Sequence, residues 1–277
     1  MPAHLNSSSC QSPNQLPNQL NGVDIVSSLP SKLPRAILFD LDDTIIEFHA
    51  LAAPAWDAAI SGIKDELQGF SPIQVRDAID RVSVTWWADP ERHRLGRLDL
   101  ARTRRQNVST ALRELGLIDD DLVDRIVKDF EQRRFAGLRL FPGALKTLEY
   151  FHEAGVRLGL VTNGDGAGQR AKIERFDLAR FFDCIVIEGE FGVGKPDERV
   201  FKYALSQLGV DTGDAWMVGD NPSWEITPAQ RIGLQGIWVD VHGTGLSAHD
   251  GHHPDRIIRQ ISELLDTLPP KSQVGST

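Results

Sequence analysis

Five short runs constrain this chain more than any other feature: Ala36–Phe39, residues 156–161, Cys184–Ile187, residues 215–218 and residues 236–239. They are almost wholly apolar and lack the polar alternation of a strand with one wet face, so each predicts a strand buried on both sides. Helical patterns separate the later runs, at residues 142–155, through Ile173, at Glu198–Leu208 and at 228–232. Buried strands joined by helices cross over with one hand and lie parallel. The predicted fold is therefore α/β, a doubly wound Rossmann-like parallel sheet with five main strands.

Between the first run and the second, the pattern is helical only. Ser71-Pro72 supplies an N-cap followed by proline at the first helical position, with Val75, Ile79 and Val82 at helical spacing. Leu100, Val108, Ala111, Leu112 and Leu115 mark a second apolar face, closed by Gly116. Asp119 to Asp121 open a further helix carrying Leu122, Ile126, Val127 and Phe130. Four or so helices without a strand signal predict an inserted all-helical domain at 49–137, splitting an α/β core of 34–48 and 138–277. Residues 1–33, rich in Ser, Asn, Gln and Pro, bring too little apolar surface to offset ordering entropy and read as a disordered tail.

Composition narrows the class of protein. Hydrophobic residues at 41% and charged residues at 25% exclude a disordered, collagen-like or fibrous chain. A net charge of −9 gives no overall field to attract a polyanion, so nucleic acid is not an expected partner. No apolar run nears the roughly 18 to 20 residues that cross a bilayer, and no basic-then-apolar leader opens the chain, so the expectation is a cytoplasmic protein without a membrane partner. Two cysteines, Cys10 and Cys184, cannot make a disulfide framework, and Cys184 reads as a core residue.

In open parallel sheets ligands bind beyond the carboxyl ends of the strands. The first run ends in Asp40-Leu41-Asp42-Asp43-Thr44, the second in Thr162-Asn163-Gly164 and the fourth in Gly219-Asp220, while Lys195 stands in the turn after the third. Together these supply carboxylates for a divalent cation, and a hydroxyl, backbone amides and an ammonium for an anion. Such a set suits phosphoryl transfer: Asp40 could attack phosphorus once Mg²⁺ and Lys195 neutralise the phosphoryl oxygens, and Asp42 could serve as acid and then base.

Asp40-Leu41-Asp42-Asp43-Thr44, Thr162 after its strand, Gly194-Lys195-Pro196 and Gly219-Asp220 follow one another in the order of the four motifs of the haloacid dehalogenase (HAD) superfamily. The chain resembles, over about residues 35–268, the subclass whose helical cap follows the first strand. The resemblance implies Asp40 as nucleophile and metal ligand, and Asp42 as acid/base that also gives a backbone carbonyl to the metal. It further implies Thr162 and Lys195 as phosphate ligands, with Asn163 grouped with them, and Asp220 as a ligand of Mg²⁺. The family's second acid in the fourth motif is an Asp; here Glu225 stands in its place, a longer carboxylate that can still support the metal. Members that cleave carbon–halogen bonds lack an acid at the position of Asp42, so its presence argues for phosphate. The function implied is a Mg²⁺-dependent phosphatase acting on a small phosphorylated metabolite, of sugar phosphate or nucleotide type. A phosphomutase of the same fold and a regulatory protein with a weakened site are the alternatives.

Several other features have bland readings beside functional ones. Arg92, Arg94, Arg97, Arg102, Arg104 and Arg105 form a basic island in the insert; spread over several turns they cannot all face one way, though one could meet substrate. Of the adjacent Trp86 and Trp87, one is expected in the core and the other on the inner surface of the insert. His242, His249, His252 and His253 read as an exposed loop and not a zinc site. Asp43 reads as a turn or supporting acid, and Glu47, Phe48 and His49 lie where the chain leaves for the insert.

Overall fold

The computed structural model describes residues 33–246 and 251–266. Residues 1–32 of the expected tail, with Cys10, and His249 of the histidine group lie outside the described residues, whereas Leu33 is described and packs against the core.

Strand β1 (Ala36–Phe39) is fully buried and sits at the centre of a six-stranded parallel sheet. On one side it pairs with β4 (Arg157–Thr162), which pairs with β5 (Cys184–Ile187). On the other it pairs with β6 (Ala215–Gly219), followed outward by β7 (Gln235–Val239) and β8 (Arg256–Ile258). The order β5-β4-β1-β6-β7-β8 reverses direction at β1, so the carboxyl end of β1, where Asp40 stands, is the topological switch point. The sequence predicts five strands; the sixth, β8, has three residues on an edge and is too short to impose a pattern.

Two apolar layers clothe the sheet. Ile37, Phe39, Leu158 and Leu160 face a layer with Leu148 and Phe151 of α6 (Ala144–Glu153) and Ile173 of α7 (Gly166–Arg175). Leu38, Val161 and Met217 face Val200, Phe201, Ala204 and Leu208 of α9 (Glu198–Leu208). Period-2 alternation within each strand sends side chains to both layers, which is why the runs are apolar throughout. Gly159 in β4 allows the second layer to close: a Cβ there would lie 2.6 Å from Leu38 Cδ2. Cys184 is half-buried at the margin of this layer.

After β1 the chain forms a two-residue strand β2 (Ile46–Glu47) and runs through five helices before returning as β3 (Arg139–Leu140), antiparallel to β2. These are α1 (Ala52–Ser61), α2 (Pro72–Trp87), α3 (Pro90–Gly96), α4 (Leu100–Glu114) and α5 (Asp120–Gly137). Ser71 and Gln74 make a reciprocal capping box at the start of α2, and the side chains of Asp89, Asp99 and Asp119 accept main-chain N–H groups at the starts of α3, α4 and α5. Ile60, Val75, Ile79, Val108, Leu112, Ile126 and their neighbours form an apolar cluster distinct from the two layers on the sheet. Gly96 lets α3 pack on the Trp86 ring, while Trp87 turns toward the sheet's switch point. Among the described residues no helix is long and apolar enough to cross a membrane.

Candidate active site

A cavity of about 920 Å³ lies between the carboxyl end of the sheet and the helical insert. Its floor comes from strand ends. Asp40 follows β1, Thr162 ends β4, Lys195 follows α8 (Glu188–Phe191), and Asp220 follows β6.

Asp40, Asp220 and Glu225 each place a carboxylate oxygen within 4.8 Å of the others. Glu225 reaches this group because the chain after Asp220 makes a π-helical turn, Pro222–Ile226, capped by Asn221, whose side chain accepts from the amides of Ser223 and Trp224, each at 3.1 Å. The Asn221 amide in turn donates to Glu225 Oε2 at 3.0 Å. Gly219 is required beside it, since a Cβ there would lie 1.9 Å from Glu225 Oε2. Lys195 Nζ donates to Asp40 Oδ1 and, at 2.7 Å, to Glu225 Oε1.

Three carboxylates and one ammonium leave surplus negative charge in a buried place. Burial first, and Glu225 second, push Asp40 up to about 7. Asp220 is pushed up to about 9 by burial, then by Glu225 and Asp40. Lys195 is raised despite its burial, held charged by Asp40 and Glu225. The donor set is oxygen only, hard and anionic, and a divalent cation of the Mg²⁺ or Ca²⁺ kind would relieve the repulsion within it. The residues present fit such an ion.

Asp42 is placed differently from the other acids. Its carboxylate lies outside the oxygen cluster and accepts from Lys172 Nζ at 2.8 and 2.7 Å and from Gln169 Nε2 at 3.2 Å. Gln169 also donates to Thr162 Oγ1 at 2.5 Å and to the Asn163 carbonyl at 2.9 Å, tying the ends of β1 and β4 together. The Asn163 side chain is spent on Lys195: Nδ2 donates to the Lys195 carbonyl and Oδ1 accepts from the Lys195 amide, both at 2.8 Å. What its side chain does is hold the lysine turn in place.

The insert forms the roof. Arg97 makes a bidentate, largely buried pair with Glu188, at 2.6 and 2.7 Å, and lies over the Trp224 ring at 4.9 Å. Glu188 also accepts from the Gly164 amide at 3.1 Å, so the pair links the insert to the loop after β4. The other arginines of the island split as the helical geometry requires. Arg104 reaches the cavity and pairs with Glu131 at 2.9 Å, whereas Arg94 pairs with Glu91 and Arg105 with Asp124 on exposed surface. Asp43, at a left-handed φ of 61°, accepts from the amides of Phe48 and His49, each at 3.0 Å, and from the His49 ring. It therefore closes the turn that leads into the insert. His252 bonds Ser223 Oγ at 2.9 Å and Thr227 Oγ1 at 2.8 Å and belongs to no metal-holding group among the described residues.

Sequence reasoning missed Lys172, Gln169 and Glu188. The first two share a face of α7 with buried Ile173, so a polar pair on an apolar face was the available signal. Glu188 directly follows the apolar run of β5 and is 4% exposed.

The description of haloacid dehalogenase-like hydrolases matches residues 34–233, and the chain belongs to that family. Among curated proteins it is 31% identical over 209 residues to a glyceraldehyde 3-phosphate phosphatase of Pyrococcus abyssi, covering 74% of this chain and 80% of the relative. It is 38% identical over 136 residues to a phosphoserine phosphatase of Thermus thermophilus, covering 49% of this chain and 52% of that one. Among solved structures, the HAD hydrolase YfnB of Bacillus subtilis, bound to magnesium, superposes with a TM-score of 0.66 at 23% identity, covering 86% of this chain and all of the other. With phosphatases as its relatives within the family, this chain is a phosphoric monoester hydrolase of the HAD-like type.

Proposed function

We propose that the protein is a Mg²⁺-dependent phosphatase that hydrolyses small phosphomonoesters through an aspartyl-phosphate on Asp40. In this reading residues 34–48 and 138–277 are the catalytic core, and residues 49–137 are a cap that excludes water and selects the leaving group. The observation that carries it is the meeting of Asp40, Asp220, Glu225 and Lys195 in one buried cluster at the switch point, on the floor of a cavity roofed by the insert.

An Asp40 carboxylate oxygen attacks phosphorus, and the bond to the leaving oxygen breaks. Asp42 gives that oxygen a proton, then takes one from the water that attacks the phospho-aspartate, releasing phosphate and restoring Asp40. Lys172 fixes the Asp42 carboxylate. Lys195 balances negative charge on the transferred group, and Thr162 offers its hydroxyl from the end of β4. Mg²⁺, held by Asp40, Asp220 and Glu225, would supply the remaining positive charge that lets one anion approach another.

The deciding experiment is release of inorganic phosphate from a panel of phosphoesters with Mg²⁺ and with EDTA. Turnover that requires Mg²⁺ and vanishes in Asp40→Asn is expected. No turnover of any ester, or turnover undiminished in that variant, would overturn the reading, and transfer to a second sugar phosphate without free phosphate would make the protein a mutase.

A further inference from the structure

The lysines and arginines on the cavity wall are each matched to a carboxylate, with one exception. Arg97 meets Glu188, Arg104 meets Glu131, Lys172 meets Asp42 and Lys195 meets Asp40 and Glu225. Of the wall's other acids, Asp80 pairs with Arg76 at 2.8 Å, Asp99 accepts from the amide that opens α4, Asp165 accepts from the Gly168 amide at 2.6 Å, and Asp220 belongs to the carboxylate cluster on the floor. Arg134, in the last turn of α5, lines the same cavity and meets no carboxylate among the described residues. Its polar contact is one donation from Nη2 to the Phe48 carbonyl at 3.4 Å, and its buried Nε has no partner. Its guanidinium lies over the Phe48 ring, with Cζ 3.6 Å from the centroid. Burial, then the neighbouring Arg104, hold its pKa down to about 10, the mark of a cation short of counter-charge.

A second side chain on this wall is also short of a partner. Asn107, in the middle of α4, is 3% exposed and lines the cavity, and its buried Oδ1 accepts no hydrogen bond. A buried amide left unpaired in this way costs free energy that a ligand's donor would recover.

Position relates Arg134 to the reaction. Lys172 Nζ lies 3.4 Å from the centroid of the same Phe48 ring, so the two cationic centres are at most 7.0 Å apart, the sum of the two distances. Lys172 in turn holds the Asp42 carboxylate at 2.7 Å. With hydrogen bonds of about 3 Å at each end, a leaving group of a few carbon atoms reaches from Asp42 to Arg134.

We infer that Arg134 and Asn107 form a subsite for a leaving group that carries an anion of its own, a carboxylate or a second phosphate, together with a hydroxyl or amine. The inference rests on the phosphatase reading. The guanidinium fork suits either anion, and the amide takes the neutral donor.

The test uses matched esters: 3-phosphoglycerate, glycerol 1,3-bisphosphate and glycerol 1-phosphate, which differ in whether the far end bears a carboxylate, a phosphate or a neutral hydroxymethyl. Wild-type protein should favour at least one of the anionic esters over the neutral one by about tenfold or more in kcat/KM. Arg134→Ala and Arg134→Gln should bring that ratio close to one, and Arg134→Lys should keep part of it. Asn107→Ala should raise KM for the preferred ester more than it lowers kcat. A wild-type ratio near one for both anionic esters, or a ratio unchanged in folded Arg134→Gln, overturns the subsite alone. Turnover of none of the esters by the wild type overturns the phosphatase reading and the subsite with it.

Discussion

Raising the pH of the metal-free protein should unfold it more easily, and Mg²⁺ should cancel that effect. Asp220 has its folded pKa raised from 3.8 to about 9, and Asp40 from 3.8 to about 7. The folded state thus holds protons that the unfolded chain has released, so stability falls as pH rises through the folded values. Between pH 7 and 9 the proton on Asp220 dominates, since Asp40 has by then largely titrated. One retained proton costs about 1.4 kcal/mol per pH unit, or roughly 3 kcal/mol across that window. For a protein of this size the drop in Tm should be roughly 5–10 °C. An ion held by Asp40, Asp220 and Glu225 competes with those protons, so the rise in Tm on adding Mg²⁺ should grow with pH. Thermal melts in EDTA and in Mg²⁺ at pH 6, 7, 8 and 9 measure both slopes, and Asp220→Asn should flatten the first. A metal-free Tm that is level from pH 7 to 9 would refute the raised pKa of Asp220, and a Mg²⁺ effect that is the same at every pH would show that the ion does not compete with protons at the three carboxylates.

Three further outcomes follow from the geometry. Gly219→Ala places a Cβ where Glu225 Oε2 lies, so the variant should keep its fold but lose Mg²⁺ affinity by about tenfold or more in a calorimetric titration. Asn163→Ala removes both bonds that hold the Lys195 turn; it should lower stability in urea by about 1–3 kcal/mol and reduce kcat more than it raises KM. Arg97→Ala strands the buried Glu188 and should cost about 3 kcal/mol, whereas Arg97→Ala with Glu188→Gln should recover much of it; equal loss in both would mean that the pair is not what joins the insert to the loop after β4.

Much of the fold and of the site's floor was legible because two signals coincide at the strand ends. An unbroken apolar run gives way to a polar residue at Asp40, Thr162 and Asp220, and a parallel sheet puts such residues on one edge. Glu225 was legible as a substitute for a familiar acid, though the π-helical turn that delivers it was not. Lys172 and Arg134 were less visible because each sits on a helix, where the meaning of a charge depends on which way the helix is rotated. Lys172 is next to buried Ile173, and Arg134 is one turn after buried Phe130, so both are cations on apolar faces. The matching of Arg104 to Glu131 and Arg97 to Glu188 could not be read in advance, because those partners come from other helices, α5 and α8, distant in the chain or brought close only by packing. β8, the edge strand after the histidine-containing loop, carries too few residues to register as a pattern.

The pairing of β2 with β3 bears on how such a chain can grow. Ile46 stands opposite Leu140, and Glu47 opposite Arg139, so a detour separated by 92 positions begins and ends on adjacent residues. Closing a loop costs chain entropy only as the logarithm of its length. Exchanging a four-residue turn for this detour adds about 3 kcal/mol of closure cost at most. The helices of the detour have their own apolar cluster to set against it. To the sheet, five helices are therefore a long hairpin loop, and their length and sequence can change with little effect on the register of the strands that hold Asp40.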